Sequence, residues 1–264
     1  MPLAQILSLM KKILIALALL IGTSATAQEK DVTKFLGIPV DGFKSEMIEK
    51  LKDPGSAITH FIGMLMALFA ATPLIMKLGS NPDRVHLISL VIFITSMVLL
   101  YAASTLYHSL KLSDRATKIF KKIDHMMIFV LIAGSYTPIC MIVLERNVGV
   151  PLMIVVWSIA IVGIIIKGFW INCPKWFSSV LYIAMGWVCV IAFSQILNGL
   201  RGPAFMWLLA GGVIYTIGGI IYALKLKVFN QKHKYFGSHE IFHLFVMAGS
   251  VCHFILMYKY VTIM

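Results

Sequence analysis

Apolar stretches long enough to cross a lipid bilayer recur along this chain, and they restrict its fold more than any other feature. Between residue 57 and the C-terminus there are seven of them, each near the ~20 residues that a helix needs to span the hydrocarbon core. The predicted spans are 57–76, 86–110, 124–144, 148–169, 177–197, 203–224 and 239–258. Because the connections are short, they cannot hold a separate soluble domain. We therefore predict an all-α membrane protein, a single seven-transmembrane-helix bundle.

The composition agrees with a membrane location. The chain has 264 residues, of which 59% are hydrophobic and 13% are charged, whereas soluble domains carry about 25% charged residues. The net charge of +12 comes largely from short loops between spans, where lysine and arginine report topology and contact with anionic lipid headgroups. We therefore expect membrane lipids, and no nucleic acid, as partners. The four cysteines show no C-x-x-C spacing, and we interpret them as small buried hydrophobic residues.

The basic residues also predict the orientation of the bundle. Counted by alternating loops, fourteen lysines and arginines fall on one side of the membrane and five on the other. The second loop alone contributes Lys111, Arg115, Lys118, Lys121 and Lys122. By the positive-inside rule, the segment before the first span is cytoplasmic and the C-terminus is outside. We predict a multi-pass protein of the bacterial inner membrane.

Residues 1–52 conflict with this topology. The segment "MKKILIALALLIGTSATAQEK" at 10–30 has the basic start, short apolar stretch and small-residue exit of a secretory signal peptide. Such a leader would place the following residues outside, opposite to the orientation that the loops predict. We interpret 1–52 as an extension joined at a gene-model or fusion seam near Lys52–Asp53, with Met47 one alternative start. Residues 53–264 form the predicted seven-helix domain.

Ionisable groups inside a membrane are costly, so each is a candidate functional residue. On the predicted topology, His108 ends the second span, Asp124 opens the third, and His239 and His243 open the seventh, all at the cytoplasmic end. His239 and His243 are spaced i and i+4, so both rings lie on one helix face. A single histidine in an apolar helix is more often a hydrogen-bonded core residue. Convergence from independent helices favours a shared site instead.

The residue types at this depth match the ligands of zinc. Three neutral imidazoles with an open position for water form the ligand set of a catalytic zinc site, here His108, His239 and His243. Asp124 would orient that water or act as a general base. Ser104, one turn before His108, could bond to this carboxylate or to a developing oxyanion. Of the other histidines, His60 and His125 have the right depth, and His125 is interpreted as a supporting or structural residue.

His253 follows His239 by fourteen residues, or about 21 Å along a helix, which is too far for it to bind the same ion.

The pattern Ser104-x-x-x-His108, then Asp124, then Ser238-His239-x-x-x-His243 resembles the signature of the hemolysin III family, the bacterial branch of the progestin and adipoQ receptors. The segments "SAITHFIG" (56–63) and "GSYTP" (134–138) are also similar to segments of that family, and the resemblance spans about residues 53–264. It implies a seven-helix protein with a zinc ion held by three histidines on the cytoplasmic side. It further implies hydrolysis of lipid amides, as in the related alkaline ceramidases, or a role in membrane lipid homeostasis or haemolysis.

Several functions remain open at this point. The segment "HEIFH" (239–243) matches the H-E-x-x-H pattern of zinc proteases, but no suitable third ligand follows it, and Glu240 is a common acidic residue for a helix N-terminus. A non-catalytic, zinc-stabilised sensor or regulator and a pore-forming cytolysin are the main alternatives. We predict a zinc-dependent hydrolase of lipid amide or ester bonds, with Asp124 and Ser104 as its catalytic residues.

Overall fold

The computed structural model describes residues 50–200, 202–224 and 237–264. The leader-like segment 10–30, the alternative start Met47, Arg201 and most of the sixth loop therefore lie outside the described residues. The helices are α1 Pro54–Met76, α2 Arg84–Ser109, α3 Asp114–Pro138, α4 Arg146–Phe169, α5 Lys175–Gly186, α6 Phe193–Gly199, α7 Pro203–Leu224 and α8 Ser238–Lys259. A π-turn at Ile139–Val143 extends α3, and short 3-10 turns cover Val188–Ala192 and Val261–Ile263.

Within the described ranges, these helices form seven apolar, membrane-length spans, with α5 and α6 sharing the fifth. Each span packs against its neighbours in the chain, and α8 returns to α1, so the bundle closes into a ring. The seven-span, all-helical prediction is therefore confirmed. Which end faces the cytoplasm stays a prediction from the loop charges.

The outer surface of the bundle is apolar, as a bilayer requires. Large side chains such as Phe69 at 76%, Phe169 at 90% and Ile191 at 78% are exposed, where a water-soluble protein would bury most of them. In contrast, several polar side chains are buried between the helices, among them Ser56, Ser104, His108 and Asp124. The bundle therefore has a lipid-facing exterior and keeps polar chemistry inside, as intramembrane polar residues demand.

Two spans differ from their predicted extent. The third helix begins at Asp114, ten residues before the predicted start, because hydropathy detects only the hydrocarbon-spanning part and the basic segment ahead of it is also helical. The fifth span is interrupted between Gly186 and Phe193. At this break the Tyr136 hydroxyl donates to the Gly186 carbonyl at 2.6 Å and accepts from the Cys189 N–H at 2.9 Å. The α3 side chain thus satisfies backbone groups that a continuous helix would pair internally.

Close packing of α2 on α3 depends on Gly134, because a Cβ added there would lie 2.3 Å from the Ser96 Oγ and 2.6 Å from its Cβ. Gly134→Ala should force the two helices apart and destabilise the bundle by about 1–3 kcal/mol. Gly212→Ala is the matched control, since an added Cβ there meets nothing within 4 Å. Thermal unfolding in detergent should show a lower midpoint for the first variant only. Equal midpoints would contradict this packing.

Candidate metal centre

Three histidines meet at one end of the bundle. His108 lies in the last turn of α2, and His239 and His243 lie in the first turns of α8. One ring nitrogen from each comes within 4.8 Å of the other two, and the Nε2 atoms of His108 and His239 are 3.2 Å apart. His108 and His243 are only 3% and 2% exposed. The chain therefore places a buried group of three imidazoles that could bind a metal ion where two distant segments meet.

Two of these rings are oriented by side chains from the start of α1. The Asp53 carboxylate lies 2.9 Å from His108 Nδ1, and as a pure acceptor it requires a proton on that nitrogen. Thr59 Oγ1 lies 3.1 Å from His243 Nδ1, and its own proton is directed to the Gly55 or Ser56 carbonyl. The Thr59 oxygen can therefore accept the Nδ1 proton. Both rings are left with an unprotonated Nε2, as metal ligation requires.

The spacing of two of these nitrogens is compatible with binding of one metal ion. A Zn–N distance of about 2.0 Å and tetrahedral angles place neighbouring ligand nitrogens about 3.3 Å apart, close to the 3.2 Å between His108 and His239. The same contact can be a hydrogen bond from His239 Nε2 to the unprotonated Nε2 of His108, or the two nitrogens can share a cation. In the part of the chain that the structure describes, His239 Nδ1 is also buried without a hydrogen-bond partner.

Asp53 is the residue that sequence reasoning missed, because it precedes the first predicted span and was assigned to the seam. Its backbone N–H also donates to the His108 carbonyl at 2.9 Å, which fixes the start of α1 on the end of α2. Burial acts to raise the pKa of Asp53, but its hydrogen bond with His108 and the charge of Lys52 bring the pKa below its ordinary value. The sequence signal that could have identified Asp53 as a site residue is its position three residues before the segment "SAITH".

Asp124, the predicted proton carrier, is buried near the three histidines. It is 6% exposed and lines the same cavity as His60, His239 and His243. Its Oδ2 lies 3.4 Å from His125 Nδ1, and His125 in turn contacts the Lys121 carbonyl at 2.9 Å. The interpretation of His125 as a supporting residue agrees with these contacts. The carboxylate is thus placed on the cavity wall and not among the metal-ligand candidates.

Ser104 is fully buried, and its hydroxyl finds no hydrogen-bond partner among the described residues. Of the two roles suggested for Ser104, the bond to Asp124 is not formed, and the role toward a developing oxyanion stays a prediction.

His60 and His253 occupy different positions on the cavity. His60 stacks on His243, with ring centroids 3.5 Å apart and planes 6° apart, so it covers one face of a candidate ligand. His253 packs against Tyr215 at 5.3 Å between ring centroids, deeper in the bundle. Neither ring nitrogen of either histidine has a partner within the described ranges. His253 is not part of the three-histidine group, as its spacing from His239 predicted.

Glu240, the glutamate of the H-E-x-x-H match, caps the N-terminus of α8. Its Oε2 accepts from the Gly237 N–H at 2.7 Å, and its Oε1 accepts from the Ser56 hydroxyl. Both oxygens are therefore occupied in capping α8 and in joining it to α1. This geometry supports the interpretation of Glu240 as an N-terminal helix acid, not as the base of a protease.

Known proteins are similar to this chain in sequence across most of the described helices. Residues 48–254 match the family model described as haemolysin-III related. The chain is 36% identical over 206 residues to Hemolysin-3 of Bacillus cereus, covering 78% of this chain and 90% of that protein. It is 38% identical over 200 residues to the Hemolysin-3 homolog of Bacillus subtilis (strain 168), covering 75% and 89%. A progestin and adipoQ receptor-like protein of Caenorhabditis elegans is 25% identical over 222 residues, covering 76% and 50%.

Asp53→Asn should weaken metal binding because an amide can present its NH₂ group to His108 and no longer dictates the proton position. Loss of such a supporting carboxylate typically costs 10–100-fold in metal affinity, and we expect a decrease of about that size. Competition with a chromogenic zinc chelator would measure it on the purified protein. Asp83→Asn is the control, because Asp83 caps α2 at the opposite end of that helix. Equal affinity in both variants would remove Asp53 from the site.

Proposed function

The chain belongs to the haemolysin-III-related family, and from that premise we propose that it is a zinc-dependent hydrolase of lipid amide or ester bonds. We place it in the bacterial inner membrane, with membrane lipid homeostasis as its role. One observation carries the proposal: three largely buried histidines converge, and two of them, His239 and His243, line the same mostly apolar cavity as the buried Asp124 carboxylate. Water chemistry and lipid binding would then share one site.

The donor set favours zinc. Three imidazoles, His108, His239 and His243, suit zinc better than magnesium or calcium, which prefer oxygen ligands. The cysteines do not join the cluster in the described part of the chain. When bound, zinc supplies a Lewis acid and lowers the pKa of a water molecule, which is the chemistry that hydrolysis of an amide requires.

The surrounding side chains would supply proton transfer and charge stabilisation. Asp124 would accept the proton of the attacking water and return it to the leaving amine or alcohol. His125, 3.4 Å away, would hold that carboxylate in place. The unpaired Ser104 hydroxyl has a proton available for a developing oxyanion. Thr105, its neighbour, instead donates to the Tyr101 carbonyl at 2.7 Å.

The cavity suits an amphiphilic substrate. It extends from Asp124 and the histidines past Leu131, Ile196 and Leu208, and its lining is mostly apolar. At the interruption of the fifth span, Val190 and Phe193 line the cavity and are also 56% and 50% exposed. An apolar chain could therefore enter sideways from the bilayer there, while its polar end reaches the histidines.

A zinc-stabilised sensor or regulator is the second candidate, supported by the position of the cluster between α2 and α8. Metal binding would then tie these helices together without catalysis. A dedicated pore has less support. The buried charged side chains among the described residues are Asp124 and Lys167, and both lie toward the same end of the bundle. A conducting path would need polar groups across the whole span.

Asp124→Asn should retain the metal but lower turnover by about 10²–10⁴-fold, the usual contribution of a general acid–base residue. The assay would follow cleavage of a fluorescent N-acyl amide and of the matched ester in detergent micelles, with zinc content measured on the same samples. Asp114→Asn is the control because Asp114 is an exposed aspartate on the same helix. Unchanged turnover in Asp124→Asn would exclude the proposed role. Zinc binding without cleavage of either probe by the parent protein would favour the sensor.

A further inference from the structure

A second polar cluster lies in the turn between α4 and α5, apart from the histidines. Lys167 Nζ donates to Cys173 Sγ at 3.0 Å and to the Ser178 hydroxyl. Cys173 Sγ and Ser178 Oγ are 3.3 Å apart. Lys167 is completely buried, and Ser178 and Cys173 are only 3% and 9% exposed. We name these three residues the lysine–cysteine–serine cluster.

The buried ammonium of Lys167 needs a negative partner. Burying an unpaired charge is strongly unfavourable, yet none of the ion pairs found among the described residues joins Lys167 to a carboxylate. The nearest group that can become an anion is the Cys173 thiol. All three contacts of the cluster can be made by protons of Lys167 and Ser178, so none of them requires a proton on sulfur.

The ends of two helices also favour a positive charge on Lys167 and a negative charge on Cys173. Lys167 lies in the last turn of α4, where the helix dipole stabilises a cation, and Cys173 comes just before the start of α5, where it stabilises an anion. Partial burial raises the pKa of Cys173, but hydrogen bonds from Lys167 and Ser178 and the charge of Lys167 outweigh it, and the pKa lies below the ordinary value. Cys140, Cys189 and Cys252 lie inside spans without such a cation.

We propose that Cys173 is a peroxide-reactive thiolate, held by Lys167 and Ser178 at the membrane surface. Its electron pair attacks one oxygen of a hydroperoxide, a new S–O bond forms, and the O–O bond breaks. With hydrogen peroxide the products are a sulfenic acid on Cys173 and hydroxide, so sulfur is oxidised by two electrons and the peroxide is reduced. Asn172 and Pro174, on either side of Cys173, are exposed, so the buried thiol lies at the edge of the bundle.

The test uses the full chain purified in detergent. Hydrogen peroxide is added, sulfenic acid is trapped with dimedone, and peptide mass spectrometry compares labelling of the four cysteines. We expect labelling of Cys173 at least about tenfold above the others, as a stabilised thiolate predicts. Lys167→Met should lower its labelling rate by about tenfold, and Ser178→Ala should lower it less. Lys118→Met, which removes an exposed cation of α3, should leave the rate unchanged.

A second measurement does not depend on any variant. The alkylation rate of Cys173 by iodoacetamide should stay high below pH 8, where an ordinary thiol is mostly protonated. If Lys167→Met fails to fold, this pH profile of the parent protein still tests whether Cys173 is a thiolate. Equal labelling of all four cysteines, a normal thiol pH profile, or an unchanged rate in both folded Lys167→Met and Ser178→Ala would overturn the proposal. None of these outcomes depends on the hydrolase.

Discussion

Burying imidazole rings in an apolar bundle costs free energy, and this cost determines which side chains surround the histidines where α1, α2 and α8 meet. Each histidine there must find a partner for its ring nitrogens or leave a buried polar atom unsatisfied. Asp53 and Thr59 satisfy the Nδ1 atoms of His108 and His243, and one nitrogen of each of the three rings lies within 4.8 Å of the other two. A metal ion is the partner that three such nitrogens fit best.

Much of this arrangement was predictable from the sequence. Successive spans cross the membrane in opposite directions, so counting the spans shows at which end of the bundle each helix begins and ends. Once seven spans were counted, His108, Asp124 and His239 had to lie at the same end of the bundle. The i and i+4 spacing then put His243 beside His239. Hydropathy could not predict that α3 begins at Asp114 or that the fifth span breaks after Gly186. The first depends on a helix outside the hydrocarbon and the second on a hydroxyl from Tyr136.

Asp53 shows a different limit of the sequence. Hydropathy assigned it to the residues before the first span, and its contact with His108 joins positions 55 residues apart. Only the docking of α1 on α2 brings them together. Likewise, a serine one turn before a histidine suggested a bond from Ser104 to Asp124, but the structure leaves that hydroxyl unpaired. Spacing predicts which face a side chain shares, whereas hydrogen-bond partners depend on neighbouring helices.

The central claim is that these histidines bind zinc, and metal content tests it most directly. Mass spectrometry would measure metals in the detergent-purified parent protein, in the His239→Ala/His243→Ala double variant, and in His86→Ala, whose ring pairs with Asp83 at the far end of α2. We predict about one zinc per chain in the parent and in His86→Ala, and none in the double variant. No zinc in the parent, or equal zinc in all three, would contradict the account.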